Sequence, residues 1–274
     1  MGDSVKKIIN NTGAILWKSP YNPYSAYTIS EFILNEKISC EILQQAVNDA
    51  LVAYPRLSYS CVSEEGKLYC VENDLPLEVQ IAEKPLLPDG EVLNGHLFSV
   101  TLWNERLTFV FHHSLGDGTA AKTFISFMLQ RYADLKSGNA PAVTAPLYDV
   151  DYMNEELNAS KLDYPKDFQP DEPLARGETF ALPDHETVFT TDSFRVSEDE
   201  FMRYIKEKNT SPAIAVCAMM AKQVIESKPN CNGPINFYIV CNLREHVGLE
   251  KSLTNCINNV FLSQIASASW TPAR

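Results

Sequence analysis

The run Arg106-Leu107-Thr108-Phe109-Val110-Phe111-His112, continuing into His113-Ser114-Leu115-Gly116-Asp117-Gly118, is the stretch from which the rest of the chain can be read. Successive side chains of a strand point to opposite faces. Leu107, Phe109, Phe111 and His113 therefore share one face, and Arg106, Thr108, Val110 and His112 share the other. The spacing predicts a strand whose apolar face ends in His113. Upstream, Leu97 to Trp103 reads as a second extended segment, joined through Asn104-Glu105 as a β-hairpin. From Gly118 to about Lys136 the apolar period becomes helical, with Ala121, Phe124, Ile125, Met128, Leu129 and Tyr132 on one side. The order is strand, short polar turn, helix.

That order gives the polar residues a chemistry. A histidine on an apolar face loses hydration of its charged form, which predicts a neutral imidazole near pH 7. A neutral imidazole is the species that takes a proton from an alcohol or an amine. Asp117 sits where a side chain caps the following helix, or pairs with an arginine brought from elsewhere. Gly118 allows torsions and close approach that a Cβ would forbid. The helix start favours developing negative charge. Singly, each feature has a plainer meaning: a lone buried histidine is usually a bonded core group, and a lone Asp-Gly is usually a turn. Their combination at this spacing, between strand and helix, points to a site.

Outward from the motif, Glu41 to Tyr54 reads as a helix with a stripe of Ile42, Leu43, Ala46, Val47, Ala50, Leu51 and Ala53, stopped by Pro55. Arg56 to Val62 reads as a strand, turned by Glu64-Glu65-Gly66 into Lys67 to Val71. Residues 141–184 are rich in Pro, Asp, Glu and Asn and read as a crossing linker between an N-terminal lobe at 1–140 and a C-terminal lobe at 185–274. In the latter, a strand is expected near Glu186 to Val196, followed by a helix opened by a Ser197/Glu200 capping box. Ser211-Pro212 starts a further helix, apolar nearly all round and so expected to be buried. Pro234 to Cys241 and Ile257 to Ile265 read as strands. Strands and helices alternate in both halves, which predicts an α/β protein of α+β two-layer build.

Composition narrows the function classes. The chain has 274 residues, 45% hydrophobic and 21% charged, with a net charge of −12. A nucleic-acid binder needs a basic face, and none is visible. No run reaches the roughly 18 apolar residues of a membrane helix. Met1 to Lys7 has no apolar segment of the secretory kind. Seven cysteines, an odd number without a CxxC pair, read as reduced thiols in a cytoplasmic protein. Cys217 and Cys241 lie in apolar elements, where a free thiol packs as a small hydrophobe. No metal ligand set stands out.

His112-His113, then three residues, then Asp117-Gly118 resembles the HHxxxDG motif of the chloramphenicol acetyltransferase-like superfamily, which includes condensation domains and microbial alcohol acetyltransferases. The Glu41 to Leu57 unit, with its Tyr54-Pro55-Arg56-Leu57 ending, is similar to the opening helix and strand of that superfamily. Asn242-Leu243-Arg244 and the later segment Leu253 to Phe261 resemble the arginine-bearing strand end and the Asn-rich segment of two-lobed members. The resemblance implies a transferase that moves an acyl group from acyl-CoA to the hydroxyl or amine of a small acceptor. It implies His113 as general base, no acyl-enzyme, and no permanently bound cofactor. It implies that Asp117 is structural and paired with Arg244 from the other lobe, that His112 supports the turn, and that Gly118 lets the thioester approach. Asn255 and Asn258 are candidates for oxyanion donors.

Two-lobed members are longer, and the DFGWG element of plant-type members is absent. The resemblance therefore implies a chloramphenicol acetyltransferase-like lobe plus an incomplete second lobe of the same build, with apolar surface left exposed. Two other readings follow: the same transfer from a phosphopantetheine thioester on a carrier protein, or a non-catalytic binding module. A serine hydrolase is disfavoured, since no G-x-S-x-G occurs.

Overall fold

The computed structural model describes residues 7–8, 27–65, 67–88, 93–147, 195–227 and 234–265. The chain divides into two compact units, Met1–Asp163 with Asn242–Ile257, and Tyr164–Cys241 with Asn258–Arg274. In chain order the elements of the first unit are β1 (Lys7–Ile8), β2 (Tyr27–Ile33), α1 (Cys40–Ala53), a 3-10 turn (Pro55–Ser58), β3 (Ser60–Glu64), β4 (Lys67–Val71), β5 (Gln80–Ile81), β6 (Phe98–Trp103), β7 (Arg106–His112) and α2 (Gly118–Ser137). Next come α3 (Glu198–Lys208), α4 (Pro212–Ser227), β8 (Pro234–Asn242), α5 (Arg244–Val247) and β9 (Ile257–Ile265).

The hairpin forms as the alternation requires. β6 and β7 pair antiparallel from Phe98↔Phe111 to Trp103↔Arg106, turning at Asn104, whose φ is +54°. β2 pairs with the other edge of β7, from Tyr27↔His112 to Ile33↔Arg106. With β5 parallel to β6, the sheet order is β2-β7-β6-β5. A second sheet runs β1-β4-β3.

Two helices close one face of the large sheet. Leu43, Ala46, Val47 and Ala50 of α1, with Ala121, Phe124, Ile125 and Met128 of α2, join Phe98, Val100, Leu102, Leu107, Phe109 and Phe111 in one core. Ser39 caps α1 by accepting from the Ile42 N–H, and the left-handed Gly138 ends α2. β7 departs from a half-buried strand: Thr108, Val110 and His112, on the face away from that core, are also buried. A central strand covered on both sides presents no exposed face, whatever its alternation suggests.

The segment after α1 also differs from expectation. The extended run foreseen from Arg56 starts only at Ser60, because Pro55 opens a 3-10 turn. Proline presets the torsion. The Ser58 hydroxyl donates to the Pro55 carbonyl at 2.8 Å and the Leu57 N–H to the Tyr54 carbonyl at 3.0 Å.

In the second unit, Ser197 caps α3 through the Glu200 N–H, and β8 pairs with β9. α4 is not the buried helix that its all-round hydropathy predicted. Ala215 and Ala221 are buried, but Ile214, Val216, Met219 and Met220 are 41–55% exposed. Only one stripe of the helix meets its unit, and hydropathy alone does not count covered faces. Of the 141–184 linker only 141–147 are described, and there the Leu147 N–H donates to the Ala53 carbonyl at 2.8 Å. The strand foreseen near Glu186 to Val196 lies outside the described residues, except for 195–196, which are not in a strand. Among the described residues no helix is long and apolar enough to cross a membrane.

One ion pair ties α1 to α2. The Arg131 Nε donates to Asp49 Oδ2, with side chains 7% and 12% exposed, and Gln45 donates to Asp49 Oδ1 at 2.7 Å. Removing one partner leaves a buried charge alone. Asp49→Ala is expected to lower the unfolding free energy by about 3–5 kcal/mol in urea denaturation. A loss below about 1 kcal/mol would mean that the pair does not hold the helices together.

Candidate active site

The motif begins where β7 ends. The His112 N–H donates to the Leu97 carbonyl at 2.8 Å and the Leu115 N–H to the His112 carbonyl at 3.0 Å, so the turn is closed by its own backbone. The two histidines differ. His112 is 5% exposed, its Nδ1 accepting from the Ser114 N–H at 3.0 Å and lying 2.7 Å from the Ser114 hydroxyl. That bond places the neutral ring's proton on Nε2. Burial, with the neighbouring His113 second, pushes the His112 pKa down to about 4. The sealed, neutral imidazole is thus His112, where the alternation pointed to His113.

His113 is half-buried. Its Nε2 lies 3.1 Å from the Thr28 hydroxyl of β2, and its Nδ1 is buried with no hydrogen-bond partner among the described residues. Its carbonyl accepts from Asn255 Nδ2 at 2.8 Å.

Asp117 is wholly engaged. Its Oδ1 accepts from the N–H groups of Thr119 and Ala120, capping α2. The same oxygen accepts from Arg244 at 2.8 Å, and Oδ2 accepts from Arg244 at 2.8 Å and from the Cys256 N–H at 3.3 Å. Arg244 also donates to the carbonyls of Ser252 and Thr254 at 2.8 and 2.6 Å and to Asn242 Oδ1 at 3.1 Å. The carboxylate is 4% exposed and the arginine 2%. The pair lies inside one unit rather than between two, because residues 242–257 are part of the unit that carries the motif.

The two motif glycines differ in the space around them. A Cβ on Gly118 would meet nothing within 4 Å. A Cβ on Gly116 would lie 2.2 Å from the Leu253 carbonyl oxygen and 2.7 Å from the Ala120 Cβ. It is Gly116 that the fold requires, where the 252–256 segment crosses the turn. Sequence reasoning did not single out Gly116 or Thr28, since both are defined by partners far away in the chain.

Asn255 is 8% exposed; one amide hydrogen goes to the His113 carbonyl, and its Oδ1, an acceptor, has no partner among the described residues. Asn258 lies in β9, and its side chain is outside the described ones. Among the described residues no group of three or more His, Cys, Asp or Glu could hold a metal. Burial pushes the Cys61 thiol up to about 12, away from the thiolate a nucleophile needs.

No protein-family model and no curated protein matches the sequence. Solved structures do. Polyketide synthase associated protein 5 from Mycobacterium tuberculosis matches at TM-score 0.69 and 18% identity, over 98% of this chain and 68% of that one. The first condensation domain of the calcium-dependent antibiotic synthetase, in complex with a substrate analogue, matches at 0.67 and 17%, over 96% and 70%. TRI101 of F. graminearum, complexed with coenzyme A and deoxynivalenol, matches at 0.60 and 14%, over 96% and 70%. The fold is the chloramphenicol acetyltransferase-like one seen in condensation domains, and this chain spans about 70% of the length of those structures.

Two outcomes follow from the geometry. Because the unfolded chain binds a proton to His112 near pH 6.5 and the folded one near pH 4, stability falls as pH drops through that window, by up to about 3 kcal/mol. Followed by NMR, the His112 ring stays uncharged through pH 5.5; titration near 6.5 would contradict its burial. Separately, Gly116→Ala costs at least about 3 kcal/mol in urea denaturation, and Gly118→Ala less than about 1. Equal losses would remove the distinction.

Proposed function

We propose that this chain, with the fold of condensation domains and acyltransferases, moves an acyl group from a thioester to the hydroxyl or amine of a small acceptor, with His113 as general base. One observation carries the reading. Within the motif, His112, Ser114 and Asp117 are all buried and bonded to their neighbours, and His113 is the one polar side chain left partly accessible.

In this reading His113 Nε2 takes the acceptor's proton as its oxygen or nitrogen attacks the thioester carbonyl. The tetrahedral intermediate then collapses, the C–S bond breaks, and the leaving thiolate takes the proton from the imidazolium. No covalent acyl-enzyme forms. Asp117 and Arg244 hold the turn and stay out of the chemistry. The open space at Gly118 admits the thioester at the start of α2. Asn255 holds the His113 backbone. Its second amide hydrogen remains the candidate donor to the oxyanion.

The donor we favour is acyl-CoA as a co-substrate in a cytoplasmic enzyme with no resident cofactor. The likeness to a condensation domain supports a second donor, a phosphopantetheine thioester on a carrier protein. The test is thiol release from acetyl-CoA, and from an acyl carrier protein, with a panel of alcohols and amines. His113→Ala is expected to lower acceptor-dependent release by at least about 100-fold. Equal release from native and variant protein would falsify the assignment, and release with the carrier alone would select the second donor.

A further inference from the structure

We propose that Thr28 is the positioning residue that sets the protonation state of His113. This role rests on the acyltransfer reading above. Four observations converge on it. Thr28 lies on β2 opposite Phe111, two residues before the base on the neighbouring strand. Its hydroxyl is 3.1 Å from His113 Nε2. His113 Nδ1 is buried and has no partner among the described residues. The His113 carbonyl is strapped by Asn255 at 2.8 Å, which fixes the backbone from which the ring hangs.

Since the residue is half-buried while Nδ1 is sealed, an acceptor reaches the ring at Nε2. A neutral imidazole has one bare nitrogen. For general-base chemistry the bare one must be Nε2, with the proton on Nδ1. Nothing at Nδ1 selects that state, and a free histidine side chain prefers the proton on Nε2. The Thr28 hydroxyl is the group that can reverse the preference: by donating to Nε2 it favours the tautomer whose Nε2 carries a lone pair. When the acceptor arrives, its own O–H or N–H takes the place of the threonine hydroxyl at that lone pair. Thr28 thus holds the site occupied by a weak donor until a reactive one displaces it, and transfers no proton itself. The β2 backbone supplies the precision, since its register with β7 is fixed along the full strand, from Tyr27↔His112 to Ile33↔Arg106.

The experiment combines ring 15N chemical shifts of His113, which separate protonated from bare nitrogens without turnover, with steady-state kinetics. Three proteins are compared: native, Thr28→Val and Thr28→Ser, each checked for folding by circular dichroism. The native protein and Thr28→Ser are expected to carry the proton on Nδ1, and Thr28→Val to shift it toward Nε2. In turnover, Thr28→Val lowers kcat by about 30-fold with KM within about twofold, and Thr28→Ser stays within about threefold of native. Thr28→Ser keeps the hydroxyl in a side chain one methyl smaller, so it reports even if the valine variant fails to fold. A native His113 protonated on Nε2, an unchanged tautomer in Thr28→Val, or a Thr28→Ser that behaves as the valine variant overturns the role. If the tautomers follow expectation but no protein releases thiol from any thioester, the control of the His113 tautomer by Thr28 stands and the transferase reading falls.

Discussion

The buried pair of Asp117 and Arg244 is the contact on which the site depends. Withdrawing two charges from water costs several kcal/mol for each ion. That cost is offset only when every donor and acceptor is matched. Here all five guanidinium N–H groups have acceptors: both Asp117 oxygens, the carbonyls of Ser252 and Thr254, and Asn242 Oδ1. The carboxylate in turn receives the first free N–H groups of α2. One bidentate contact thus orients a helix start, a strand end and the crossing segment 252–256. Gly116 lets that segment descend onto the turn, and Asn255 then reaches the His113 carbonyl.

The two adjacent histidines divide two tasks that one residue could not perform together. His112 accepts the Ser114 N–H at Nδ1 and is buried, which keeps it neutral. It builds the turn. His113 keeps an accessible edge and a side-chain contact with Thr28 at 3.1 Å. A ring buried as His112 is would be too enclosed to meet a substrate, and a ring held as lightly as His113 would not fix the strand end.

The parts of this arrangement that were legible in the sequence are those set by near neighbours. The β6–β7 hairpin, the amphipathic α1 and α2, the Asp117 cap and the Ser197 cap all follow from residues a few positions apart. What stayed hidden depends on distant partners. Thr28 matters because β2 pairs with β7, which puts it beside a residue 85 positions on. Gly116 matters because a carbonyl from residue 253 crosses it. The burial of His112 was hidden because alternation assumes one wet face, and β7 has none beyond Arg106. Arg244 was reached through a resemblance between motifs, not through any local pattern. α4 was misjudged for a related reason: hydropathy records what a helix could bury, not what its unit covers.

The distance along the chain between the two halves of the buried pair has a consequence for how the protein is made. Asp117 and Arg244 are 127 residues apart. Closing a loop of that length costs about 4 kcal/mol of chain entropy before any contact compensates it. A ribosome adding about 5–20 residues each second needs roughly ten seconds to pass from one to the other. Through that interval the carboxylate has only the helix N–H groups, and the His113 carbonyl has no Asn255. The hairpin and the two helices packed on its sheet can collapse first, as local contacts do. The site itself is assembled only once residues 242–257 have been made and return to the turn.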